Sequence, residues 1–223
     1  MMQKPPQKFF ERYLDVSQDD LDSLYDFCVD REKDMLDGKF PNISKEEAEG
    51  YFQKGGMTTR TLGKYNVFQL HHPVIRKLFA AISEMTKEAC IYYGKDFESE
   101  SYYIQGWINI EPADSGDEEL YAKNMIEQNL HEHCGGLGMP DLHGYFCVFA
   151  EPSVTHYRID KTIPFENINK NFRAVLSETG HPHTRGFWGN SEKRRITIAY
   201  DTRSINDIGA NDAGLEQHWI PLV

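Results

Sequence analysis

Cysteine is scarce in this chain, and the residues present do not cluster. The four cysteines, Cys28, Cys90, Cys134 and Cys147, form no C-x-x-C pair, the spacing typical of structural zinc sites and redox motifs. The N-terminal segment also lacks the apolar core of a signal peptide. We therefore expect reduced thiols in a cytoplasmic protein rather than a disulfide framework.

Basic residues and long apolar runs are scarce as well. Lys and Arg number 24 against 35 Asp and Glu, which gives a formal charge of -11. Phosphate backbones select basic surfaces, so general nucleic-acid binding is disfavoured. No apolar run approaches the roughly 18–20 residues of a membrane span, and we expect no membrane partner. Hydrophobic residues still make up 39% of the 223 residues, which is enough for a packed core.

The chain changes its periodicity at about residue 99. Before that point, Ser17 and Asp20 form a capping box, Ser44 and Glu47 form a second one, and a further helix is predicted between Pro73 and Gly94. After it come short β-rich runs over 101–110, 143–152, 155–160, 171–178 and 194–202. The pattern predicts one α+β domain over 1–223, with helices of about 1–98 buttressing a barrel or sandwich of about 99–223.

Two H-x-H segments are the strongest metal-binding signal. One residue separates His131 from His133, and His181 and His183 repeat this spacing about 50 residues later. Residues i and i+2 of a strand project from one face, so each pair can present two imidazoles to one ion. We predict that at least three of these four histidines share a metal site. The alternative is solvated or core histidines with satisfied hydrogen bonds.

The remaining histidines have no sequence partner. We predict structural roles for His143, His156 and His218. His143 opens the strand that follows the first H-x-H segment, which makes its assignment the least secure.

A charged and a hydroxyl residue alternate with apolar ones in RRITIAYDT. Arg195 and Thr197 share one strand face, opposite Ile196 and Ile198, so the polar pair is predicted to face a lumen that holds an anion. A buried Arg without an anion would be an uncompensated charge. The alternative is an Arg on a solvated edge strand. Arg194 points the other way and is predicted to be exposed.

These segments resemble the 2-oxoglutarate/Fe(II)-dependent oxygenases, and most closely the small members with an N-x-H-x-H segment. Asn129, His131 and His133 match that segment. The Gly-aromatic strand 144–152 and the closing strand 195–202 match two further elements of the family. Trp107 and Asn109 resemble the strand before the first ligand, and the likeness covers about residues 101–202.

The resemblance implies a double-stranded β-helix, or jelly roll, buttressed by N-terminal helices, with Fe(II) at its open end. It implies that 2-oxoglutarate is the co-substrate, chelating the iron through its ketoacid end. His131 would be the first ligand and His183 the distal one. Arg195 and Thr197 would hold the distal carboxylate, and we add Asn109 and Tyr145 as co-substrate-binding candidates.

The second ligand departs from the family pattern. Most members have H-x-D/E there, which completes a two-His-one-carboxylate triad, whereas this chain has His133. Either the site has three histidines, or a carboxylate such as Glu132 or Asp141 serves instead. Strand parity argues against Glu132, because it should point away from its two neighbours. His181 stays an alternative to His183 as the distal ligand.

The predicted function is an Fe(II)- and 2-oxoglutarate-dependent dioxygenase that hydroxylates an unidentified substrate through a ferryl intermediate. The substrate is either a small molecule or a protein side chain, and a homodimer is left open. One alternative is a cupin-type three-His metalloenzyme that uses no 2-oxoglutarate. The other is a non-catalytic barrel that binds a small anion.

Overall fold

The computed structural model describes most of the chain. It covers residues 8–39, 44, 46, 57–58, 65–111, 118, 130–133, 142–159, 161–190, 192–205, 208 and 218–222. The positions 47, 129, 134 and 141 singled out above lie outside these residues.

Three α-helices and one 3-10 turn lie among the described residues. They are α1 (Gln18–Leu36), the 3-10 turn Val67–Gln69, α2 (Pro73–Tyr93) and α3 (Phe97–Glu100). The predicted capping box of Ser17 and Asp20 opens α1, and Gly94 ends α2 in the left-handed conformation at φ 71°. None of the helices in these ranges is long and apolar enough to cross a membrane.

A large antiparallel sheet forms one wall of the barrel. Its strands run in the order β1 (Phe9–Tyr13), β7 (Arg173–Glu178), β4 (Leu142–Phe149), β9 (Arg195–Ser204), β3 (Tyr102–Glu111) and β10 (Ile220–Pro221), and β2 (Met57–Thr58) also pairs with β3. The central strand β9 pairs with β3 on one side and with β4 on the other.

A smaller antiparallel sheet faces the large one. It contains β6 (Ile163–Ile168), β5 (Val154–Ile159) and β8 (His183–Arg185), and an isolated bridge adds His131 beside His183. The two sheets form the double-stranded β-helix that the resemblance predicts, so the predicted fold class is confirmed.

The two faces of the large sheet carry different residues. Ile196, Ile198 and Tyr200 of β9 pack with the apolar faces of α1 and α2 in the main hydrophobic core. The opposite face looks into the lumen, where a smaller cluster includes Trp107 and Tyr145. Alternation along the strand therefore separates the scaffold from the site.

Five of the strands that the structure describes lie outside the β-rich runs predicted from sequence: β1, β2, β6, β8 and β10. β1 (FFERY) is only five residues long, yet it pairs along β7. β6 contains Pro164, and its residues are mostly exposed, so the alternation signal is weak.

The prediction that Arg194 is exposed is wrong. Its guanidinium forms a fork with the buried carboxylate of Glu32 on α1, with Nη2 2.7 Å from Oε1. This ion pair links α1 to the residue just before β9. Strand parity alone could not predict it.

Candidate active site

The lumen face of the large sheet consists of four rows of cross-strand neighbours. Successive rows are two residues apart on each strand, so all of these side chains project from the same face. The face includes all four predicted co-substrate-binding residues. We call the first row the histidine end of the lumen and the last row the arginine end. In order the rows are Gln105, Asp201 and His143; Trp107, Ala199 and Tyr145; Asn109, Thr197 and Cys147; and Glu111 and Arg195.

Three predicted ligands meet at the histidine end. His131 and His183 exchange two backbone hydrogen bonds, N–H to O, of 3.1 and 2.9 Å. Their ring centroids are 4.6 Å apart, and the ring of His133 is 4.9 Å from that of His183. One ligand atom from each of the three histidines lies within 4.8 Å of the other two. The geometry therefore brings together the predicted set.

His183 has the protonation state that a metal ligand needs. Its Nδ1 lies 3.2 Å from the carbonyl oxygen of His181, which can only accept, so Nδ1 carries the proton and Nε2 keeps its lone pair. Burial, followed by the neighbouring histidines His143, His133 and His131, holds the pKa of His183 well below its usual value. In this contact with His183, His181 provides its backbone carbonyl oxygen.

A carboxylate lies behind the histidines, and the sequence analysis missed it. Asp201 Oδ1 is 2.8 Å from Nδ1 of His133 and 2.8 Å from Nδ1 of His143, and all three residues are buried. Burial acts to raise the pKa of Asp201, but the contacts with His133 and His143 outweigh it and hold that pKa well below the usual value. Asp201 is therefore an anion that fixes the Nδ1 protons of both rings.

The sequence pattern of β9 could have predicted Asp201 as a lumen residue. It lies on the same strand face as Arg195 and Thr197, further along the i, i+2, i+4 series of β9. His143, which was assigned a structural role, belongs to this cluster too, with its ring 3.7 Å from that of His133. Trp107 stacks on the His133 ring at 5.5 Å and completes the wall.

Of the two carboxylates proposed from sequence, the structure describes Glu132, and Glu132 does not join the histidines. Glu132 forms an ion pair with Lys161 at 3.1 Å, as expected for a residue that points away from its neighbours. Asp141 lies outside the described residues.

Arg195 lies at the opposite end, and its charge is compensated. Its Nη1 donates to Glu111 Oε1 at 2.8 Å and its Nε to Ser153 Oγ at 3.3 Å. Glu111 Oε2 lies 2.5 Å from Nη1 of a second arginine, Arg185. The premise that a buried Arg195 would lack an anion is therefore wrong: Glu111, its register partner on β3, supplies one.

A buried hydroxyl without a well-formed hydrogen bond lies between the two ends. The Tyr145 hydroxyl has no hydrogen-bond partner of good geometry within the described part of the chain. Burial raises the pKa of Tyr145, while the side chain of Thr155 and the guanidinium groups of Arg173 and Arg195 act in the opposite sense. The hydroxyl is thus a protonated donor in electrostatic range of Arg195. A buried hydroxyl with incomplete hydrogen bonding is suited to receive a ligand or a water.

The donor set suits a divalent first-row metal. Imidazole nitrogens bind Fe(II), and three protein ligands leave further positions for other groups. Metal-bound histidines commonly donate their second ring N–H to a carboxylate or a carbonyl. Asp201 accepts from His133, and the His181 carbonyl accepts from His183. His131, His133 and His183 would therefore hold the metal, with His143 beside them.

Comparison with known proteins places the fold. No protein-family model and no curated protein sequence matches this chain. A Pseudomonas putida prolyl-4-hydroxylase structure is similar over 88% of this chain and 92% of its own, at 9% identity and a TM-score of 0.57. A Trichoplax adhaerens prolyl hydroxylase, in complex with a hypoxia inducible factor oxygen degradation domain peptide fragment, is similar over 89% and 84%, at 9% identity and a TM-score of 0.55.

A third neighbour was solved with 2-oxoglutarate bound. It is a full-length Neurospora crassa protein in complex with alpha-KG, another name for 2-oxoglutarate. The similarity covers 96% of this chain and 83% of that protein, at 11% identity and a TM-score of 0.51. The chain therefore has the double-stranded β-helix fold of the 2-oxoglutarate- and Fe(II)-dependent oxygenases.

Proposed function

We propose that this chain is an Fe(II)- and 2-oxoglutarate-dependent dioxygenase that hydroxylates a small molecule or a protein side chain. The observation that carries the proposal is the pairing of two features in one lumen. Ligand nitrogens of three histidines lie close together at one end, and buried Arg195 lies at the other. The buried Tyr145 hydroxyl lies between the two ends.

Each end of the lumen has a separate task. His131, His133 and His183 would bind the metal, and Arg195 with Thr197 and Tyr145 would receive the far carboxylate of 2-oxoglutarate. When bound, Fe(II) and 2-oxoglutarate would allow dioxygen to serve as the oxidant for C–H hydroxylation, with 2-oxoglutarate giving up two electrons as it is converted to succinate and carbon dioxide. The protein would orient the co-substrate between the two ends, and the burial of Trp107 and Tyr157 supports a lumen with little access to water.

The deciding experiment is anaerobic addition of Fe(II) and 2-oxoglutarate, followed by aerobic measurement of succinate. We expect a weak visible absorption band first, and then succinate that depends on both components. Arg195→Met should bind 2-oxoglutarate roughly 30-fold to several-thousand-fold more weakly, since a desolvated bidentate contact contributes about 2–5 kcal/mol. Metal binding should be nearly unchanged in that variant.

Arg12→Met is the matched control. Arg12 is an exposed arginine of β1, paired with Glu88 on the outside of the barrel. Its loss should leave the 2-oxoglutarate dissociation constant unchanged. A change below threefold in Arg195→Met would remove Arg195 from the site and turn attention to Arg185 or Arg173.

A second candidate is a three-His metalloenzyme that uses no 2-oxoglutarate. The compensation of Arg195 by Glu111 favours it, because the arginine then needs no external anion. A metal-dependent reaction without succinate formation would support this candidate over the first. Binding of an anion without any metal-dependent turnover would support a non-catalytic barrel.

A further inference from the structure

The arginine end of the lumen contains one carboxylate between two guanidinium groups. Glu111 ends β3 directly opposite Arg195, the first residue of β9. Its Oε1 accepts from Arg195 Nη1 at 2.8 Å, and its Oε2 lies 2.5 Å from Arg185 Nη1. The side chains of Glu111 and Arg195 are 11% and 5% exposed, whereas that of Arg185 is 33% exposed.

The charges of this triad do not cancel. Among the groups that the structure describes, these two guanidiniums and one carboxylate leave one net positive charge, so a second carboxylate is still attracted to them. The further buried arginine of the lumen, Arg173, is engaged elsewhere: its Nη1 lies 3.2 Å from Glu11 and its Nη2 2.8 Å from the Asn167 amide oxygen. Within the described part of the chain, Glu111 is the carboxylate paired with Arg195, and an incoming carboxylate would meet it there.

Glu111 also occupies a donor that an incoming carboxylate needs. Arg195 donates Nη1 to Glu111 and Nε to Ser153, and its Nη2 makes no hydrogen bond to the residues that the structure describes. A carboxylate that grips both terminal nitrogens of Arg195 must displace Glu111 from Nη1 or share that nitrogen.

We propose that Glu111 competes with the far carboxylate of 2-oxoglutarate for Arg195 and so sets the affinity and charge selectivity of the lumen. This inference rests on the proposed use of 2-oxoglutarate. When the co-substrate binds Arg195, Glu111 is retained by Arg185. The displaced carboxylate is then not left buried without a partner, which keeps the exchange reversible.

The test is the dissociation constant of 2-oxoglutarate, measured by calorimetry on the Ni(II)-loaded protein under conditions without turnover. Glu111→Gln removes the competing charge but keeps the size of the side chain. We expect 2-oxoglutarate to bind roughly 10- to 100-fold more tightly to this variant, because a like charge within a few ångströms is removed from a buried anion site. A gain in affinity cannot arise from misfolding.

Glu192→Gln is the matched control. It makes the same change of charge in an exposed residue just before β9, and its dissociation constant should stay within twofold of the natural chain's. This comparison separates the local contact of Glu111 from the net charge of the whole protein.

Arg185→Gln should shift the affinity in the opposite direction. Without the guanidinium of Arg185, Glu111 pairs with Arg195 alone, and the two remaining charges cancel. We expect 2-oxoglutarate to bind roughly 10-fold more weakly. If Glu111 instead positions Arg195 for the co-substrate, Glu111→Gln would weaken binding, and that result would overturn the proposal.

The failure of this inference differs from the failure of the proposed function. If the natural chain binds 2-oxoglutarate and Glu111→Gln binds it no more tightly, only the competition is refuted. If only Glu111→Gln binds it, the competition holds, and the natural chain is better described as an enzyme without this co-substrate. If neither protein binds it, both proposals are refuted.

Discussion

At the scale of single residues, the ligand histidines give the most direct prediction. His183→Ala should abolish stoichiometric binding of Fe(II) or Ni(II) without unfolding the protein, because it removes a buried neutral imidazole from the centre of the cluster. Metal content after dialysis and circular dichroism report the two properties. His156→Ala is the control, since His156 lies near Glu166 of β6 and away from the cluster. Full metal content in His183→Ala would move the distal ligand elsewhere.

Asp201 is predicted to act through the rings that it holds. Asp201→Asn keeps an oxygen near Nδ1 of His133 and His143 but removes the negative charge. We expect the metal affinity to fall about 10- to 100-fold, the usual effect of losing such a contact. Competition with a chelator measures the metal dissociation constant of the variant. Asp22→Asn, at a half-exposed position on α1, should leave the affinity unchanged.

The same contact changes what His133→Asp should do. The sequence alone predicts that this substitution recreates the more common two-His-one-carboxylate triad. Asp201 is already 2.8 Å from the His133 ring, so the new carboxylate would be repelled by a buried like charge. We expect His133→Asp to bind metal weakly and the double variant with Asp201→Asn to bind it better. Equal affinities would show that the two positions do not interact.

How far the sequence predicted the site depends on the residue. The two H-x-H segments predicted a histidine cluster, and the structure groups His131, His133 and His183, but the choice of His183 over His181 came from the family resemblance and not from spacing. Arg195 was placed on the lumen face correctly, but its partner could not be predicted. Glu111 lies 84 positions away in sequence, and only the β3–β9 register brings the two together.

At the scale of secondary-structure elements, β4 depends on a glycine. A side chain at Gly144 would overlap the backbone carbonyl of Val175 and the ring of Tyr200, whose hydroxyl donates to that carbonyl at 2.8 Å. Gly144→Ala should therefore lower the free energy of unfolding by about 3 kcal/mol. Urea denaturation measures it.

Gly180→Ala is the control for Gly144→Ala. Gly180 has open space around it and a φ of 91°, so its substitution should cost only about 1 kcal/mol of backbone strain. Equal losses for the two variants would mean that packing against β7 and β9 contributes nothing at Gly144.

The first helix offers a milder test. Ser17→Ala removes the side-chain oxygen that accepts the Asp20 N–H at 3.1 Å. We expect a loss of about 1 kcal/mol in the free energy of unfolding. Ser17→Thr should retain most of the stability, because threonine keeps a hydroxyl that accepts from the Asp20 N–H and donates to Asp20 Oδ2. A loss as large in Ser17→Thr would mean that the cap hydrogen bonds are not what Ser17 contributes.

The helices and the longer strands were predictable because their patterns are local. A capping box predicted α1, Pro73 and Gly94 predicted the bounds of α2, and short β-rich runs predicted β3, β4 and β9. β1 and β6 were missed because edge strands with exposed faces do not need the alternating pattern. Their pairing depends on β7 and β5, which lie far away or across a turn.

At the scale of the whole molecule, metal should stabilise the fold. A ligand present at 100 times its dissociation constant adds about 2.7 kcal/mol when it binds only the folded chain. We therefore expect a higher Tm with Ni(II) than with a chelator, and no difference in His133→Ala. A similar rise in that variant would place the metal outside the histidine cluster.

The position of β9 between β3 and β4 has a consequence for amide hydrogen exchange. The amides of Arg195–Ser204 lie in the middle of the large sheet, hydrogen-bonded toward both neighbours, whereas His131 is attached to β8 by a single isolated bridge. Exchange should thus be slowest along β9 and fastest at His131. Arg195 and Asp201 would stay in register through fluctuations that detach His131, so the free protein would lose and regain its first metal ligand while the rest of the site remains assembled.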